Sequence, residues 1–187
     1  SAKQGGAIYN SENGFIPTDF SNMTFKNNSA ENVGGAIFNR GALFLGDDES
    51  SIIFENNTAG NAGGAIFNTQ YSGLLVENVD FINNSTTKEN GSGGAISNSA
   101  ISLEIKNSRF TGNSAYHEKT VQDENQKESI VKSGAGGAIQ NLGEDFVVDN
   151  TTFTENKAGE YGGAIFHAGT GTVTASTFNK NSSTNGG

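Results

Sequence analysis

The chain has 187 residues, 33% of them hydrophobic, with 26 Gly, a single Pro (Pro17) and no Cys. Its formal net charge is −9 and its Lys and Arg residues do not cluster, which argues against nucleic acid as a partner and fits a self-repelling surface. The lack of Cys excludes disulfides and thiolate chemistry, and no run of about 18 apolar residues is present to cross a membrane as a helix.

Two short motifs alternate along the chain. Gly-Gly-Ala-Ile starts at Gly5, Gly34, Gly63, Gly93, Gly136 and Gly162, at separations of 29, 29, 30, 43 and 26 residues. Between the copies runs Phe-x-x-Asn, at Phe25/Asn28, Phe54/Asn57, Phe81/Asn84, Phe110/Asn113, Phe153/Asn156 and Phe178/Asn181. A period of this size means a solenoid, propeller or array. A solenoid tolerates the low hydrophobic fraction, because each turn needs only a few inward residues.

Within one turn the first element is the Gly-Gly-Ala-Ile strand. Its Gly pair suits a sharp corner and close backbone approach. Ile8, Ile37, Ile66, Ile96, Ile139 and Ile165 are expected inside, and the next residue (Tyr9, Phe38, Phe67, Ser97, Gln140, Phe166) outside, because strand side chains alternate. The position after that is Asn10, Asn39, Asn68, Asn98, Asn141 and His167, which predicts an Asn ladder with each amide bonded to the next turn.

The second element precedes the Phe motif. Stretches 74–81, 103–110 and 146–153 alternate apolar with polar residues, turn at Asn78, Asn107 or Asn150, and then place Phe inward. The third element is the strand around Phe itself, and the six Phe rings are expected to stack. These elements predict an all-β fold, a right-handed parallel β-helix of about six to seven rungs with three short strands per rung. Right-handedness comes by analogy with the crossover rule. At the usual interstrand spacing the rod is about 30 Å long. Residues 1–187 read as one β-helix segment cut from a longer protein, starting inside a repeat at Ser1 and ending on the partial motif Asn185, Gly186 and Gly187.

One stretch breaks the period. Phe110 to Gly136 is 26 positions, against 9 in regular turns, and the excess at 116–132 is polar and charged. It reads as a short helix or a surface flap, and a tolerated corner insertion is weighed ahead of a binding loop.

Enzymatic β-helices stack acids on adjacent turns of one face. The position before Phe is Thr24, Ile53, Asp80, Arg109, Thr152 and Thr177; the position after it is Lys26, Glu55, Ile82, Thr111, Thr154 and Asn179. No acid recurs on adjacent turns, and Asp80 with Arg109 is expected to form a cross-turn ion pair. His117 lies in the charged insertion and His167 in the ladder position, so neither a triad nor a zinc site is supported. Asp47, Asp48 and Glu49 lack calcium-loop spacing and read as a solvated acidic loop. Sequons such as Asn27-Asn28-Ser29 arise from the Asn-rich corners. Tyr9, Phe38, Phe67 and Phe166 line one outward strand face, and cover by corner loops stands level with an apolar stripe for a partner. No enzyme activity, catalytic residue, metal or cofactor is expected.

The alternating motifs resemble the repeats of chlamydial polymorphic outer membrane proteins and related autotransporter-like adhesins, over nearly the whole chain. The resemblance implies a surface-displayed right-handed β-helix passenger, exported by the type V route, that attaches to host cells. It also implies a part in adhesion for both motifs. Here these are Gly34, Gly35, Ala36, Ile37, Gly63, Gly64, Ala65 and Ile66, with Phe25, Asn28, Phe54, Asn57, Phe81, Asn84, Phe110, Asn113, Phe153, Asn156, Phe178 and Asn181. The implied partner is a host cell-surface receptor or glycan, with self-association also possible and no nucleic acid. Contact with the outer membrane would run through a C-terminal barrel outside this segment. The alternatives are a carbohydrate-active enzyme or glycan-binding module, and a passive stalk spacing an active tip from the membrane.

Overall fold

Each repeated residue becomes a column. A computed structural model describes residues 2–16, 22–49 and 51–186; Ser1, Pro17 and Gly187, which entered the reading of composition and chain ends, lie outside them. Four parallel sheets of six strands each wind through about six turns. Among the described residues there is no helix, and so none long and apolar enough to cross a membrane.

The first sheet contains Ser29–Val33, Thr58–Ala59, Ser85–Thr86, Ser114–Ala115 and Lys157–Ala158, with Ala2–Gln4 at its edge. The second is the Gly-Gly-Ala-Ile sheet, with strands such as Ile37–Asn39 and Ile66–Asn68. The third contains Phe15–Ile16, Ala42–Leu45, Gly73–Glu77, Ser102–Lys106, Asp145–Asp149 and Gly171–Thr174. The fourth carries Phe, in strands such as Ile52–Glu55 and Val79–Ile82. Registers match like with like: Ile37 pairs Ile66, Ile66 pairs Ile96, and Phe54 pairs Phe81.

Each turn therefore has four strands, where the repeat pattern pointed to three. The additional strand follows Phe-x-x-Asn and is mostly two residues long. Its inward residues are Ala30, Ala59, Thr86, Ala115 and Ala158, all buried but small. Without large apolar residues it leaves no alternation to read.

The core is filled by stacked columns. The Phe25, Phe54, Phe81, Phe110, Phe153 and Phe178 rings are offset by 4.6–5.0 Å between neighbours and lie nearly parallel. Each such pair contributes roughly 0.5–1.5 kcal/mol beyond its area burial. The third sheet adds Leu43, Leu74, Leu103 and Phe146, then Leu45, Val76, Ile105 and Val148, all buried.

The two Gly of each corner are needed for different reasons. Gly34 sits at φ +65°, and a Cβ on Gly35 would lie 2.0 Å from the Gly64 carbonyl oxygen of the next turn. Corners into and out of the fourth sheet use left-handed Asn instead: Asn78, Asn107 and Asn150 on one side, Asn27, Asn56 and Asn83 on the other.

The 116–132 insertion is neither helix nor irregular flap. It is a β-hairpin, His117–Gln122 paired antiparallel with Glu128–Ser133. The Asp123 carboxylate closes the turn by accepting the Asn125 and Lys127 amides at 2.9 and 3.0 Å. At its base the Lys157 ammonium sits 3.5 Å above the Tyr116 ring, and the Tyr116 hydroxyl donates to Glu118. That bond raises the Tyr116 pKa above its ordinary value.

Candidate binding surface

The motif residues face inward. Phe54, Phe81, Phe110, Phe153, Asn57, Asn84, Asn113 and Asn156 have no exposed surface, and neither do Ala36, Ile37, Ala65 and Ile66. Gly34, Gly35, Gly63 and Gly64 are buried too. Phe25 is buried and Asn28 partly so, whereas Phe178, on the last turn, is half exposed.

Two amide ladders run the length of the rod. In the expected one, Asn10, Asn39, Asn68 and Asn98 each donate from Nδ2 to the Oδ1 of the next Asn at 2.6–2.7 Å. Asn141 then donates to His167 Nδ1 at 3.0 Å. The ring proton is thereby placed on Nε2, which is buried without a partner among the described residues.

The other ladder, not foreseen, is formed by the Asn of Phe-x-x-Asn and is more completely bonded. Asn84 Oδ1 accepts both the backbone N–H and the Nδ2 of Asn57, at 3.0 and 2.9 Å. Its Nδ2 donates to Asn113 Oδ1 at 3.0 Å and to the Phe54 carbonyl at 2.9 Å. The same set repeats at Asn57, Asn113 and Asn156. A buried amide in this setting has every donor and acceptor used. A shorter hydroxyl ladder is also present: Ser108 Oγ, Thr151 Oγ1 and Ser176 Oγ each accept a backbone amide of the turn before.

The outward positions differ from turn to turn. On the second sheet Tyr9 stacks on Phe38 at 4.9 Å and Phe38 on Phe67 at 5.8 Å. Phe38 is buried, as is Ser97 two turns on, so this face is not an open apolar stripe. On the fourth sheet Arg109 binds Asp80 bidentately, Nε to Oδ1 at 2.8 Å and Nη2 to Oδ2 at 2.5 Å, as the register predicted. The hydrogen bonds and charge of Asp80 raise the Arg109 pKa. Lys26 and Glu55 form a second cross-turn pair at 2.9 Å. Beside Asp80, residues Asp48, Glu49, Asn78, Asn107 and Arg109 line a polar cleft of about 250 Å³. Among the described residues no three His, Asp or Glu side chains are placed to hold a metal ion.

The outward face of the third sheet combines apolar and acidic residues. Phe44, Leu75, Glu104 and Val147 are in register along it and half-buried. The corners that enter this sheet on three successive turns present Tyr71, Ile101 and Leu142, at 82%, 62% and 49% exposure. None of these corner residues belongs to either repeat motif, and nothing in the repeat pattern singles them out.

Four segments, residues 22–40, 51–69, 78–99 and 150–168, match the model of the Chlamydia polymorphic membrane protein repeat. Each match runs from the corner before the Phe strand, through the first sheet, to the end of the Gly-Gly-Ala-Ile strand. The turn that holds the hairpin lies outside the matched segments. No curated protein and no solved structure matches the chain.

Proposed function

We propose that this chain, four segments of which match the Chlamydia polymorphic membrane protein repeat, is a non-enzymatic adhesin segment, displayed at the cell surface as part of an autotransporter passenger. The rod holds its corners and outward strand faces toward a host cell. The observation that carries this reading is the division of labour in the repeat. Both motifs are consumed by corner, stack and ladder, so recognition falls to residues that vary between turns. The family's name supports a place at the membrane or surface.

Binding of the purified 187-residue chain to cultured epithelial cells tests the proposal, against a β-solenoid of equal length and charge. Binding above that control is expected, and binding equal to it overturns the reading. A glycan-binding module is the second reading, favoured by the amides, carboxylates and Arg109 around the polar cleft. A glycan array probed with the chain and with Asn107→Ala separates the two, since only the glycan reading predicts a signal that this substitution removes.

A further inference from the structure

We propose that the outward face of the third sheet, with Tyr71 and Ile101 at its edge, docks a cationic protein segment that inserts apolar side chains. The inference deepens the adhesin reading and rests on it for biological role; the chemistry rests on the surface itself.

Apolar residues are concentrated here. Phe44, Leu75 and Val147 lie along the sheet, and Tyr71, Ile101 and Leu142 stand at the corners of three successive turns. Grouped exposed apolar surface rimmed by charge marks an interaction site, and a projecting Tyr is a typical anchor. The rim is acidic. Glu77, Glu104, Asp145 and Asp149 belong to the same strands, and the cation among them, Lys106, is bound to Glu104 at 2.5 Å. Glu77 and Asp149 also act on Lys106, so that charge is already neutralised and the carboxylates are in excess.

This excess selects the occupant. An anionic glycan or lipid headgroup meets like charge. A second copy pairing through the same face sets carboxylates against carboxylates. A segment carrying Arg or Lys beside Leu-sized side chains satisfies both the rim and the apolar centre.

Three ten-residue peptides test this against the full chain by fluorescence anisotropy in about 150 mM salt: alternating Arg-Leu, Arg-Ser and Glu-Leu. Arg-Leu is expected to bind, and Arg-Ser and Glu-Leu at least about tenfold more weakly. Tyr71→Ser with Ile101→Ser should weaken Arg-Leu at least about tenfold, while Glu104→Gln with Asp145→Asn should weaken it and flatten its salt dependence. Ile130→Ser on the hairpin should change nothing. Circular dichroism confirms that each variant is folded.

Equal binding of Arg-Ser or Glu-Leu, absence of Arg-Leu binding, or wild-type affinity in the double Ser variant overturns the proposal. So does capture of neutral phosphatidylcholine vesicles, or a dimer abolished by the double Ser variant. Peptide binding without cell binding removes the adhesin reading and leaves the docking face. Cell binding that survives the double Ser variant removes the docking face and leaves the adhesin reading.

Discussion

The Phe-Asn column of the fourth sheet and the outward face of the third are built from the same turns under opposite rules. In the column each turn repeats the turn below: a stacked Phe, then an amide with all its hydrogen bonds made within the rod. On the outward face Phe44, Leu75, Glu104 and Val147 succeed one another in register, with no residue type repeated. A position whose side chain must bond its own copy one turn away is held nearly to a single residue type, with His167 at the end of one Asn ladder as the departure. A position that meets only solvent or a partner is free to differ. The most recurrent residues are therefore the least available for contact.

The largest break in the comparison should come from Phe81→Ala, which opens a cavity between two rings in the middle of the stack. The expected cost is about 3–5 kcal/mol, read as a fall in the urea midpoint. Asn84→Ala should come next, at about 2–4 kcal/mol, because the Asn57 amide, its Nδ2 and the Phe54 carbonyl lose their partner together. Arg109→Ala removes a bidentate pair whose Arg side chain is mostly exposed, so roughly 0.2–1 kcal/mol is expected, shrinking as salt is raised. The smallest effect belongs to Tyr71→Ser, within about 0.5 kcal/mol by thermal unfolding, since the ring is largely in water. A large stability loss at Tyr71, or none at Asn84, would erase the distinction between column and face.

Much of the column was legible in the sequence. Gly-Gly-Ala-Ile implied a glycine corner, an inward Ile and an Asn ladder because a strand's period of two fixes which residues share a face, and the register confirms it. The bidentate pair of Asp80 and Arg109 was readable by the same alignment.

The first sheet was hidden because Ala30, Ala59 and Ala115 fill their inward positions with little apolar volume. The hairpin was hidden for the converse reason. Both its faces are in water through most of its length, so Thr120 opposite Ile130 and Glu118 opposite Lys132 show no hydrophobic period. The inward direction of Asn in Phe-x-x-Asn could not be read by alternation, because a left-handed corner at Asn27, Asn56 or Asn83 stands between it and the Phe strand. Tyr71 and Ile101 stand outside both motifs and at different offsets from the strands that follow them, so no repeated position marks them.

Adhesion to host cells by two folded variants tests the central claim most directly. One is Asn84→Ala, which alters the motif inside the rod; the other is Tyr71→Ser with Ile101→Ser, which alters the face and leaves both motifs intact. At a temperature where circular dichroism shows both fully folded, the motif variant should bind cells like the parent chain and the face variant should bind at least about tenfold less. Loss of adhesion in the folded motif variant, with the face variant unaffected, would contradict the account.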